Sequence, residues 1–181
     1  MEKKFNRKNK PAAPETPFEH ILLSSYKQGM ISYVHSHPEA YSEAVSLAVS
    51  DKQPYSWRAA QLLWSCIEPD DLRIRKHLKK IISYLPFAVD NQKSQLLKIL
   101  LLMKIPNNLG GLVLDESISC WKDITKMPSL RYRALVLILT IAKRFPELSH
   151  EISLLHNEHY FSTFSPGVKR SAERLFREAN L

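Results

Sequence analysis

Trp57-Arg58-Ala59-Ala60-Gln61-Leu62-Leu63-Trp64, running on to Pro69, decides the fold, because the chain repeats its plan twice more. A basic residue opens a long apolar run and a proline closes it. The second copy is Lys93-Ser94-Gln95-Leu96-Leu97-Lys98-Ile99-Leu100, running to Pro106, and the third is Arg133-Ala134-Leu135-Val136-Leu137-Ile138-Leu139, running to Pro146. The basic residues lie 35 and then 40 positions apart, and the prolines 37 and 40. A period of this size is the signature of stacked helical repeats. One such unit cannot bury its apolar face alone and must stack on its neighbours.

Outward from these copies, the chain alternates helices at short intervals. Apolar spacing predicts a first helix from Phe18 to about Val34, with Gly29 as its weak point. Pro38, Pro54, Asp70-Asp71, Asp90 and Pro128 then open helices over about 38–50, 54–67, 70–85, 90–103 and 128–145. Asn107, Asn108, Gly110 and Gly111 predict a loop, followed by a helix over 113–124. Pro146 begins a shorter helix, and Ser165-Pro166 forms a cap and first-turn pair for a last one, making about nine helices. The stretches 96–103 and 134–142 are apolar almost all round, so each must be covered on most sides. The 72–85 segment is one-sided, with Leu78, Ile81, Ile82 and Leu85 opposing Arg73, Arg75, Lys76, Lys79 and Lys80. Two-sided helices alternating with one-sided ones are what a layered helical stack requires.

Glycine numbers only four, and alternating β-branched segments are lacking, which argues against sheets with tight hairpins. The formal charge is +8, but the ends supply much of it. Residues 1–17 carry +3 and the last 17 carry +2, so the body is only mildly basic. The first 17 residues hold lysines, asparagines and three prolines without apolar periodicity, and are expected to form a flexible basic arm ahead of one domain, 18–181. Cys66 and Cys120 stand alone in apolar stretches and read as core thiols of a reducing compartment. No secretory apolar region follows the polar start, and no apolar run is long enough to span a bilayer, so a cytoplasmic protein is expected.

Trp57-Arg58-Ala59-Ala60 and Tyr132-Arg133-Ala134-Leu135 resemble the start of the inner helix in HEAT and armadillo-like repeats. The resemblance covers about 38–155 and implies an all-α, right-handed αα-superhelix of HEAT-like helical pairs. HEAT units commonly place an aspartate shortly before the inner-helix arginine. Here Asp51 lies seven residues before Arg58, Asp90 three before Lys93, and none lies close before Arg133. The resemblance also implies a non-catalytic scaffold or adaptor that offers its concave face to a protein partner. Nucleic-acid binding is the alternative, since the class includes alkyl-purine DNA glycosylases.

The candidate residues for that face are Trp57, Arg58, Trp64, Lys93 and Arg133. Trp57 and Trp64 are seven apart and share one helix face, where they can stack a base, grip a peptide or pack between repeats, the last being preferred. Arg58, Lys93 and Arg133 recur at one position of each copy and are expected to line up as a basic row. Such a row can hold an acidic peptide or phosphates, or can satisfy carbonyls at neighbouring helix ends. No phosphate loop, paired-cysteine motif or nucleophile elbow is present, and no cofactor or metal site is expected. His156 and His159 are three apart but lack a third ligand in register. Trp121 and Asp123, the pair that would suit a glycosylase, read as chance neighbours.

Overall fold

Caps and prolines set where the helices begin. The computed structural model describes residues 13–180, which form an all-helical protein. Thr16 accepts the Glu19 N–H at 3.1 Å and so caps α1 (Pro17–Ser24). Asp71 accepts the Arg73 N–H at 2.8 Å ahead of α5 (Leu72–Arg75), and Asn157 accepts the His159 N–H at 2.9 Å ahead of a further turn at Glu158–Phe161. A side-chain oxygen at this position satisfies one of the amides that a helix start leaves without a partner. Proline is pre-shaped for the first turn and starts α1, α9 (Pro128–Ala142) and α12 (Pro166–Glu178). Between them lie α2 (Lys27–Ser36), α3 (Ala40–Ala48), α4 (Tyr55–Cys66), α6 (Leu78–Tyr84), α7 (Asp90–Leu101), α8 (Asn107–Lys122), α10 (Ser149–Ser153) and α11 (Glu158–Phe161).

Packing follows chain order. Helix α4 packs on α7, α7 on α9, and α9 on α12, which makes one row from the three repeated segments and the last helix. Helix α3 is paired with α4 and α8 with α9, while α1 and α2 close the first end of the row against α4. The core lies along these seams, where Leu62, Leu63, Leu96, Leu97, Leu135 and Ile138 are buried. Burying each such side chain contributes about 1.5–3 kcal/mol. Polar groups tie the seams as well. The buried Gln92 amide donates to the carbonyls of Ala48 and Ser50 at 2.9 and 2.8 Å and accepts from Gln53 at 2.9 Å, which fastens α7 to the end of α3.

Four sequence expectations change. The helix expected over 18–34 breaks at Ser25-Tyr26, and Gly29 lies inside α2. The segment expected as one helix over 70–85 is split between Arg75 and Leu78. The loop expected at Asn107–Gly111 is the first turn of α8. Gly110 is buried there against the Phe145 ring, and Arg144 donates to the Ile105 carbonyl at 2.7 Å and to the Asn107 side chain, so tertiary contacts override the turn composition. The boundary of the arm moves too. Residues 1–12 lie outside the described residues. Glu15 donates its N–H to Glu19 at 2.8 Å and pairs with Lys52 at 2.8 Å, and Thr16 donates to Glu43 at 2.5 Å. Residues 15–17 therefore belong to the body.

Candidate binding face

On α4, Trp57, Gln61 and Trp64 fall at helical spacing on one side, and all three are half-buried. Two neighbouring helices bring cations to that side. The Lys27 ammonium of α2 lies 5.6 Å from the Trp64 ring centre and the Lys98 ammonium of α7 lies 4.1 Å from it. The Arg58 guanidinium lies 5.8 Å from the Trp57 ring and donates to the Ser25 carbonyl at 3.3 Å. Arg133 of α9 donates to the Ser94 hydroxyl, one helical turn before Lys98, and to the Ser129 carbonyl at 3.2 Å. These contacts join α2, α4, α7 and α9 into one continuous face.

The charges on the face are unbalanced. Burial, the nearby Arg133 and the nearby Lys27 together hold the Lys98 ammonium below the ordinary lysine range. Burial likewise lowers the pKa of Arg133. Among the described residues no carboxylate pairs with Lys27, Arg58, Lys98 or Arg133. The Arg58 Nε and the Gln95 Oε1 are buried without a hydrogen-bond partner. Past Arg133, a cleft of about 500 Å³ separates the first turns of α9 and α12, with Tyr132 and Arg133 on one wall and Val168 and Ser171 on the other.

Of the five candidate residues, Trp57, Arg58, Trp64 and Arg133 are joined by these contacts. Lys93 is not. It is 6% exposed and pairs with Glu116 of α8 at 2.5 Å, so its charge is consumed across the α7–α8 seam. The reason is helical phase. Lys93 and Lys98 are five residues apart, which places them about 140° apart around α7. Lys98 faces the side that Lys93 was expected to occupy. A signal for this existed, since Lys98 is the one charge within an otherwise apolar run. Asp90, three residues before Lys93, pairs with Lys126 at 2.8 Å.

The remaining sequence candidates serve the core. Trp121 is fully buried, and its indole N–H donates to the Leu155 carbonyl at 3.1 Å. Phe161, Phe164 and Phe176 surround it with ring centres 5.5, 5.7 and 6.3 Å away. Asp123 accepts from the Thr125 N–H and hydroxyl at 3.0 and 2.6 Å, so the two do not form a site. His156 stacks on Phe176 with ring centres 4.6 Å apart, and among the described residues no group of three His, Cys, Asp or Glu could hold a metal ion. Cys66 and Cys120 are unpaired, and burial pushes the Cys120 thiol up to about 11. No helix among the described residues is long and apolar enough to cross a membrane.

Comparison with protein-family models, with curated proteins and with solved structures finds no match for this chain.

Proposed function

We propose that this protein is a short HEAT-like right-handed αα-superhelix that works as a non-catalytic scaffold or adaptor, holding a protein partner on the face shared by α2, α4, α7 and α9. The order of packing supports the repeat reading, because the three copies of the motif contribute consecutive members of one row. The observation that carries the functional reading is the convergence on one surface of two half-buried tryptophans and four cations from segments as far apart as Lys27 and Arg133. Half-exposed tryptophan and arginine are the residue types that dominate binding energy at protein interfaces. The unpaired thiols support a reducing compartment, which we take to be the cytoplasm.

A photo-crosslinking residue at Gln61, between the two tryptophans, tests this reading in the source cells. A discrete protein adduct from position 61, absent when the same residue replaces the exposed Lys79, is the expected result. Equal labelling at both positions, or none at position 61, overturns it.

A further inference from the structure

We infer that the partner presents a short acidic segment to this face, with its carboxylates on Lys27, Arg58, Lys98 and Arg133. The inference rests on the binding-face reading above and names the chemistry of the occupant.

The distribution of unpaired charge comes first. Elsewhere the cations withdrawn from water are matched, Lys52 to Glu15 and Glu19, Lys93 to Glu116 and Lys126 to Asp90, while lysines without an acid, such as Lys76, Lys79 and Lys80, are exposed. Arg131 has all three guanidinium nitrogens on acceptors of the chain, whereas Arg58 and Arg133 each use one. The four on this face have no acid; Lys27 and Lys98 share the Trp64 ring, and Arg133 reaches Ser94, one turn from Lys98. A cluster of like charges, part-withdrawn from water, is relieved by an anion that bridges it.

The tryptophans decide which anion. A nucleic-acid strand would be expected to stack its bases on exposed indoles. Here the Trp64 ring already carries two ammonium groups, with Lys98 only 4.1 Å from its centre. A base could not stack on the ring at Lys98 without displacing that ammonium and losing its cation–π contact. Trp64 thus acts as a seat that fixes two lysine heads, which lowers the entropy lost when they grip a carboxylate.

The test uses the full chain and three fluorescent probes: a Glu/Asp-rich peptide of about 12 residues, its Gln/Asn counterpart and an oligothymidylate of about the same length. Binding is followed by anisotropy between about 50 and 300 mM salt, where screening separates exposed from part-buried pairs. The acidic peptide is expected to bind, the amide peptide to bind at least about tenfold more weakly, and the oligothymidylate to bind no better than the amide peptide. Lys98→Glu should weaken the acidic peptide at least about tenfold, while Lys79→Glu/Lys80→Glu should leave it unchanged. Lys27→Glu, on the exposed surface of α2, repeats the test should Lys98→Glu disturb folding. Equal binding of acidic and amide peptides, equal loss in the Lys79/Lys80 variant, or Lys98-dependent binding of the oligothymidylate overturns the inference. A position-61 adduct that survives Lys98→Glu would sink the acidic segment while leaving the binding face standing. Absence of the adduct from the protein with Lys98 intact removes both.

Discussion

Two tryptophan–cation assemblies in this molecule use the same contact to opposite ends. At the α9–α12 end, the Arg131 guanidinium lies 5.2 Å from the Trp121 ring and 4.8 Å from Phe164, and both Arg131 and Trp121 are fully buried. Its nitrogens donate to the Trp121 carbonyl at 3.1 Å, to the Thr163 hydroxyl at 2.6 Å and to the Tyr160 carbonyl. At the α2–α4–α7 seam, Trp64 also carries cations, but it is half-exposed and its two lysines have no acid. The closed assembly turns each guanidinium nitrogen to an acceptor of the chain itself, so it contributes to the fold. The open one keeps its charge unspent, which costs stability locally and makes sense only if something else takes it up. A cation on an indole is therefore not in itself a sign of binding; the sign is a cation whose hydrogen bonds are left over.

The largest expected effect separates the two assemblies. Arg131→Ala should cost about 3–5 kcal/mol in urea unfolding, because it leaves the carbonyls of Trp121 and Tyr160 buried without donors and opens a void among the rings. Arg133→Ala, two residues away in sequence, should cost less than about 1 kcal/mol, since Arg133 is only part-buried, the exposed Ser129 can turn to water and the Ser94 hydroxyl can rotate to another acceptor. Equal losses in the two variants would erase the distinction between a closed and an open cation.

A smaller difference is expected between the tryptophans. Trp121→Phe removes the N–H that the Leu155 carbonyl accepts and should cost about 1–3 kcal/mol. Trp64→Phe keeps an aromatic face under Lys98 and should stay within about 1 kcal/mol of the wild type. Unfolding midpoints of the two variants at one denaturant slope would settle the order.

Much of the helical order was legible from the sequence, because apolar spacing, prolines and caps are local signals. Ser165-Pro166 and Asp71 start helices where the pattern predicts. The start of α8 was not legible, because Asn107, Asn108, Gly110 and Gly111 have turn composition and only the packing of Gly110 on Phe145 makes them helical. The candidate face was legible in part. Arg58 and Arg133 stood out as repeats, but the repeat pattern says nothing about phase within a helix, so Lys93 was read onto the wrong side. Arg131 went unread because its acceptors are backbone carbonyls, which every residue carries. Its spacing held a clue, since Arg131, Leu135, Ile138 and Ala142 fall on one buried stripe of α9.

The smallest expected effect bears on whether the open assembly stores repulsion. Lys98 feels Arg133 and Lys27, and burial as well as these charges disfavours its protonated form. A lysine whose folded pKa lies below its unfolded one destabilises the fold wherever it is charged in both states. That cost is present across neutral pH and vanishes only once the pH passes the unfolded value of 10.5. Lys98→Met keeps most of the stem on Trp64 and removes the charge, giving up a cation–π contact worth about 0.5–1 kcal/mol. The two changes oppose each other, so overall stability should move by no more than about 0.5 kcal/mol. The salt dependence should move more clearly. Salt screens the repulsion among Lys27, Lys98 and Arg133, so the wild-type Tm should rise between about 20 and 300 mM NaCl, and the rise should be smaller in Lys98→Met. Lys79→Met, an exposed lysine of α6, corrects for the charge of the molecule as a whole. If Lys79→Met and Lys98→Met lose the same share of the salt effect, the repulsion belongs to the net charge of +8 rather than to the face.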